Sequence, residues 1–142
     1  MKLGSVLVAL VACSRGHHEP LEMTEAMHAQ LTSITDYGCS LRQGRTERPF
    51  EECASKDGKI HAWLMLDDGK LKGVTYELSL PHAQRAAKLR TALHGLLDDT
   101  LLEALIGDLA NGSHGWRYGA DVRGDVSCRD DSCAVHIRWV YL

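Results

Sequence analysis

Aromatic residues and prolines are scarce in this chain. One phenylalanine and three prolines occur among 142 residues, and aromatic residues make up 6% of the sequence. The formal net charge is only −3, and a nucleic-acid-binding domain is typically basic. No apolar run reaches the roughly 20 residues that a membrane-spanning helix needs. These absences exclude a proline-rich stalk and a transmembrane helix, and they give no indication of a nucleic-acid partner.

A short apolar segment follows the first two residues. Met1 and Lys2 precede LGSVLVALVA, residues 3–12, which carries no charge. Ten residues are too few to cross a bilayer, but they match the apolar core of a secretory signal. The sequence therefore predicts export from the cytoplasm.

The four residues at the end of this segment carry a resemblance. Leu10-Val11-Ala12-Cys13 resembles the lipobox of bacterial lipoproteins, with leucine at minus three, small residues and an obligatory cysteine. The resemblance implies that residues 1–12 are removed as a signal peptide and that Cys13 becomes a lipidated N-terminus. In that family the thiol receives diacylglycerol and the new amino group is usually acylated, and several acyl chains hold a protein effectively permanently.

Residues 13–20 are then the lipidated cysteine and a tether, and residues 21–142 a single domain. Ser14 differs from the aspartate that resembles an inner-membrane retention signal, which favours the outer membrane in a host with two membranes. An ordinary secretory signal, with Cys13 as a bystander, is the alternative, although Leu10 is large for the minus-three position. Either reading places the chain in the cell envelope or outside the cell.

The cysteine count becomes even once Cys13 is set aside. The chain has five cysteines, and the four that remain are Cys39, Cys53, Cys128 and Cys133. An oxidising compartment favours two disulfides. Three connectivities are possible, and local geometry favours Cys39–Cys53 together with Cys128–Cys133.

The second of these pairs fits a β-hairpin. When CRDDSC, residues 128–133, is taken as a hairpin with four residues in its loop, outward pairing places apolar residues on one face and polar residues on the other. Directly opposed cysteines are within disulfide range. The register also sets Arg123 against Arg138, and this like-charge pair mildly disfavours it.

Hydrophobic periodicity predicts an α+β fold. Helical spacing recurs over residues 21–34, after Pro81, and after Asp98 as far as Gly112, while residues 60–66 and 71–80 read as strands around a turn. The predicted order is α-ββ-αα-ββ, a four-stranded antiparallel sheet with helices packed on one face. Residues 40–52 show no regular element, and GSHGWRYG, residues 112–119, reads as a loop or irregular strand.

Candidates for chemistry are weak. Cys128 and Cys133 with His136 have zinc-like spacing, but the hairpin puts His136 on the face opposite the cysteines. Ser113 and His114 are adjacent without a nucleophile elbow. We therefore predict no metal, no cofactor and no enzymatic activity.

A binding surface is the favoured interpretation. Six residues are candidates for it, three in the glycine-rich segment and three in the segment between Cys39 and Cys53: Trp116, Arg117, Tyr118, Arg42, Arg45 and Arg48. Trp63 and Trp139 are expected in the core. The sequence predicts a lipid-anchored accessory domain that binds an envelope protein. An inhibitor or ligand-binding module and a small hydrolase using Ser113 are the alternatives.

Overall fold

A computed structural model describes residues 22–36, 38–43, 49–112 and 115–140. The described part of the chain contains three α-helices and seven β-strands. In chain order these are α1 Glu25–Thr32, β1 Gly38–Gln43, β2 Pro49–Ala54, β3 Ile60–Asp67, β4 Lys70–Leu78, α2 His82–Leu93, α3 Asp99–Asn111, β5 Trp116–Tyr118, β6 Val122–Arg129 and β7 Ser132–Trp139. The strands form one sheet in the order β1-β2-β3-β4-β7-β6-β5, and every neighbouring pair is antiparallel.

The predicted four-stranded sheet is wrong, because the sheet has seven strands. The expectation missed β1 and β2, which lie in the segment read as irregular, and β5, which lies in the glycine-rich segment. These strands carry few branched apolar residues; β1 and β5 are the two edge strands, and β2 lies next to β1. Pairing with a neighbouring strand, rather than apolar alternation, makes them strands.

One face of the sheet is buried beneath the helices. Ala62, Tyr76, Val135 and Val126 stand opposite one another on four consecutive strands, and all four are fully buried. The Tyr76 hydroxyl donates to the backbone carbonyl of Leu31 in α1 at 2.7 Å, and burial raises the pKa of this phenol. We call this side of the sheet the covered face.

Helix α3 begins and ends where its sequence indicates. The Asp98 carboxylate accepts a hydrogen bond from the Leu101 backbone N–H at 2.8 Å, which satisfies one of the free donors of the first turn. Gly112 ends the helix with φ of +62°, a left-handed conformation that favours glycine. Both predicted boundaries are confirmed.

Helix α1 starts later than its apolar pattern suggests. Thr24 caps it by accepting a hydrogen bond from the Met27 N–H at 3.1 Å. The residues before the cap run along the sheet instead, where Glu22 forms a β-bridge with Lys70 and the Met23 N–H donates to the Gly69 carbonyl at 3.1 Å.

Both predicted disulfides are confirmed. Cys39 is bonded to Cys53 and Cys128 to Cys133, with Cα atoms 4.1 Å and 4.0 Å apart. Each bond joins directly opposed residues of a hairpin, β1–β2 in one case and β6–β7 in the other. The predicted register of the second hairpin is confirmed, including Arg123 opposite Arg138, but its turn is tighter than the predicted loop because Arg129 also pairs with Ser132.

The predicted signal peptide, Cys13 and the tether lie outside the described residues. Their assignment therefore stays a prediction. Within the described ranges, no helix has both the length and the apolar content needed to cross a membrane.

Gly124 and Gly107 offer a matched test of how α3 sits on the sheet. A Cβ at Gly124 would lie 2.8 Å from Leu105 Cδ1 and 3.2 Å from Ile137 Cδ1, whereas a Cβ at Gly107 in α3 would meet nothing within 4 Å. We expect Gly124→Ala to lower the free energy of unfolding by about 1–3 kcal/mol through overpacking. Gly107→Ala should raise it by about 0.5–1 kcal/mol because alanine favours a helix.

Urea denaturation of the two variants measures both effects. Equal stability of Gly124→Ala and the wild type would contradict the close approach of α3 to β6.

Candidate functional site

The side of the sheet away from the covered face has no helix against it in the described part of the chain. We call it the open face. A line of directly opposed residues crosses it on six consecutive strands, and we call this line the central row: Glu52, Trp63, Thr75, His136, Asp125 and Trp116. Four strand spacings separate its two tryptophans, a distance of about 19 Å.

Several side chains of the central row are held by neighbours. The Trp63 ring stacks on the His61 ring, with centroids 5.6 Å apart and planes 14° from parallel. Thr75 Oγ1 lies 3.1 Å from His136 Nδ1. The Asp125 carboxylate accepts a hydrogen bond from the Gly115 N–H at 3.1 Å. These contacts limit rotamer freedom, so less entropy is lost when a ligand binds.

A second line crosses the open face two residues away along the strands. It lies at the end of the sheet where the β3–β4 turn, Asp68–Gly69, is found, and we call this end the turn end. Its members form the turn-end row: Arg42, Phe50, Met65, Gly73, Arg138, Arg123 and Tyr118. Only the backbone of Arg42 belongs to the described part of the chain.

Exposed aromatic rings and arginines meet where the two rows reach β5. The guanidinium carbon of Arg123 lies 4.9 Å from the centre of the Trp116 ring, a cation–π contact. Trp116 is 44% exposed and Tyr118 is 72% exposed. Large aromatic side chains left in solvent at this level are typical of contact surfaces.

Arg117 projects to the other side of β5, because it stands opposite Gly124 of the covered face. Its Nε and Nη2 donate to the two Asp108 carboxylate oxygens at 2.9 Å and 2.8 Å. The Asp108 side chain is 5% exposed, and the hydrogen bonds from Arg117, together with its positive charge, lower the pKa of this carboxyl. This bidentate pair joins the edge strand β5 to helix α3.

The six residues predicted to form a binding surface do not lie together on one face. Trp116 and Tyr118 lie on the open face, Arg117 is engaged by Asp108, and Arg42 has its backbone in the turn-end row. Arg45 and Arg48, like the side chain of Arg42, lie outside the described residues. No contact of the described residues tests their predicted binding role.

The sequence predicts Trp63 in the core, and it does not indicate which hairpins are neighbours in the sheet. Trp139 is buried in the core as predicted, but Trp63 is only partly buried and lies on the open face. Its neighbours Ala62 and Leu64 are both fully buried. Strand alternation around these two residues is the signal that could have placed Trp63 on the opposite side.

One group of potential metal ligands occurs on the covered side. Ligand atoms of His28, Cys39 and Glu51 all lie within 4.8 Å of one another. The Cys39 sulfur is bonded to Cys53, however, and a disulfide sulfur is not the thiolate that zinc requires. His28 Nε2 lies 2.6 Å from a Glu51 carboxylate oxygen, so these two groups engage each other.

The Thr75–His136 contact pairs a hydroxyl with an imidazole, as in nucleophilic catalysis. Asp125 stands opposite His136, but its carboxylate is engaged by the Gly115 N–H rather than orienting the ring. The contact also lies on an open sheet face rather than in an enclosed pocket. Ser113 and His114, the sequence candidates for hydrolysis, lie outside the described residues.

The Asp108–Arg117 pair generates a pH prediction. The pKa of Asp108 in the folded protein is below its ordinary value of 3.8, so the unfolded chain binds the proton more tightly. The stabilising contribution is therefore fully present above about pH 5 and is lost as the pH falls through the lower, folded-state pKa. We expect Asp108→Asn to lower the free energy of unfolding by about 1–3 kcal/mol at pH 7.

Urea unfolding at a series of pH values measures this difference, which should shrink below about pH 4. Glu103→Gln is the control, because Glu103 pairs with Arg90 at the surface with both side chains more than half exposed. It should have little effect. A pH-independent loss in Asp108→Asn would contradict the electrostatic origin.

The open face is the part of the described surface where exposed aromatic, cationic and hydrogen-bonding groups occur together. Both rows cross neighbouring strands of one sheet, so the hydrogen-bonded backbone fixes the distances between successive residues of each row. This arrangement suits contact with a partner better than chemistry in an enclosed site. Among protein-family models, curated proteins and solved structures, none matches this chain.

Proposed function

We propose that this protein is a lipid-anchored binding domain of the cell envelope and that the central row is its contact surface for an envelope protein. One observation carries the proposal. The described helices cover a single face of the sheet, and the central row on the other face carries two tryptophans, Trp116 exposed and Trp63 partly exposed, instead of a uniformly polar surface. Tryptophan, tyrosine and arginine are the residues that contribute most to protein–protein binding.

The rigidity of the surface supports the same proposal. The disulfides Cys39–Cys53 and Cys128–Cys133 tie the hairpins at both sides of the sheet, and the Asp108–Arg117 pair holds β5. Each of these contacts lies on the covered side, so none of them occupies the open face. A surface already held in its binding geometry loses less entropy when a partner docks.

The proposed location follows from the lipobox resemblance of residues 10–13. Lipidation at Cys13 would hold the domain at the envelope without any membrane-spanning segment. The two disulfides are consistent with an oxidising compartment outside the cytoplasm.

Trp116 is the first residue to test as a contact. We expect chemical crosslinking in intact cells to capture one envelope protein, and Trp116→Ala to weaken the interaction about 30-fold, the effect of losing one dominant aromatic contact. Lys88→Ala is the matched control, because Lys88 is exposed on α2, on the opposite side of the molecule. Mass spectrometry identifies the captured protein.

Trp63→Ala tests the far end of the central row in the same experiment. Loss of capture in both tryptophan variants would show that the partner spans the row. Capture that survives in both and disappears in Lys88→Ala would place the contact on the helices and contradict the proposal.

Cys13→Ser tests the anchor separately. We expect the wild-type protein to fractionate with membranes and to be labelled by palmitate, because the thiol carries the diacylglycerol. The variant should lose the label, and its attachment to membranes should become sensitive to salt. A variant that keeps the palmitate label would show that Cys13 is not the lipidated residue.

A further inference from the structure

We infer that the turn end of the sheet rests on anionic lipid headgroups, whose phosphates are held by Arg123 and Arg138 beside Tyr118 and Trp116. This inference rests on the proposed lipid anchor and adds to it a second, electrostatic contact with the same membrane. It is carried by three observations: where the N-terminal segment joins the sheet, which charges lie there, and which rings flank them.

The N-terminal segment joins the sheet at the turn end. Glu22 bridges to Lys70, and the Met23 N–H donates to Gly69. Cys13 precedes Glu22 by nine residues, a chain length of at most about 30 Å when fully extended. A lipid on Cys13 therefore keeps this end of the sheet close to the membrane surface.

Arg123 and Arg138 form a like-charge pair at this end. They stand directly opposite each other on β6 and β7, where side chains of like charge repel. Within the described ranges neither guanidinium has a carboxylate partner in a salt bridge, and the Nε of Arg123 is buried without a hydrogen-bond acceptor. A phosphate between the two guanidiniums would relieve the repulsion and accept their hydrogen bonds.

Aromatic rings flank this pair. Tyr118 stands opposite Arg123 and is the most exposed large apolar side chain described, and the Trp116 ring packs against the same guanidinium. Tyrosine and tryptophan are enriched at the level of lipid headgroups, where their rings are partly buried and their polar atoms stay hydrated. Arginine and aromatic side chains together suit a headgroup layer better than either does alone.

The same row continues as an apolar strip. Phe50 and Met65 are partly buried members of it, and a Cβ at Gly73 would lie 2.6 Å from Met65 Cε. The Met65 side chain thus occupies the space that glycine leaves, between Phe50 and Arg138.

Acidic residues also lie at this end, and the nearest to the pair are Asp121 and Asp125, each two residues from Arg123 in the chain. Asp67 and Asp68 lie at the β3–β4 turn beside Lys70 and Lys72, and Asp67 lies 4.0 Å from the Lys72 ammonium. Asp125 already accepts the Gly115 N–H. The pair therefore lies among charges of both signs, and Arg138, which is exposed, is its more accessible member.

Vesicle sedimentation tests the inference with the full chain carrying Cys13→Ser, so that no acyl chain contributes. The vesicles contain either phosphatidylcholine alone or equal amounts of phosphatidylcholine and phosphatidylglycerol. We expect stronger binding to the anionic vesicles, reduced by salt. Each unit of charge near such a surface changes binding about fivefold, so adding Arg138→Glu should weaken it about 25-fold.

Arg129→Glu is the matched control. Arg129 is an exposed residue of the same strand and the same face as Arg123, but it lies at the opposite end of the sheet. It makes the identical change in net charge and should leave binding nearly unchanged. Residues 1–12 are common to all variants, so any adhesion through them does not depend on either substitution.

The melting temperature separates loss of binding from loss of structure. Arg138→Glu replaces a like-charge cross-strand pair with an opposite-charge pair, so it should melt no lower than the protein that retains Arg138. Weaker vesicle binding without a lower melting temperature is the result that supports the inference.

Three results would overturn it: equal binding to neutral and anionic vesicles, equal losses in Arg138→Glu and Arg129→Glu, or full binding by Arg138→Glu. Full binding by Arg138→Glu would indicate that the turn-end row contacts a protein or glycan instead of lipid.

The intact mass of the wild-type protein keeps the two proposals apart. If Cys13 of the wild type is lipidated but the Cys13→Ser chain shows no preference for anionic vesicles, the headgroup contact is overturned and the anchor is not. If Cys13 is unlipidated and the chain still prefers anionic vesicles, the anchor is overturned and the headgroup contact is supported.

Discussion

The register of the sheet is the constraint on which the rest of the structure depends. Successive side chains of a strand alternate between faces, so a slip of one residue would exchange the covered face for the open face. The bonds Cys39–Cys53 and Cys128–Cys133 each join directly opposed residues, which fixes the register of two hairpins covalently. Burial under the helices then holds the strands between them.

The part of the fold that the sequence predicts is the part with strong periodicity or covalent links. The hairpin register from Val122 to Trp139 follows from alternation and from one cysteine pair, and Asp98 and Gly112 mark the ends of α3 because caps have local chemistry. Strands β1, β2 and β5 could not be found in this way. They are short or lack apolar alternation, which is compatible with a loop, and pairing with neighbouring strands makes them strands.

The candidate surface is likewise predictable from the sequence only in part. The polar side of the last hairpin, with Arg123, Asp125 and His136, is predictable from that hairpin alone. Its continuation to Thr75 and Trp63 depends on the pairing of β7 with β4, between residues 61 positions apart in the chain. Sequence alternation says which residues share a face within a strand, but it does not say which strands are neighbours.

The short outer strand β5 presents little backbone for pairing with another chain. An edge strand exposes unpaired backbone donors and acceptors that can recruit another chain, and short edges reduce this hazard. Strand β5 has three residues, and Arg117 holds it to the helix layer through Asp108. A three-residue edge strand that is also held by an ion pair offers little template for fibril growth.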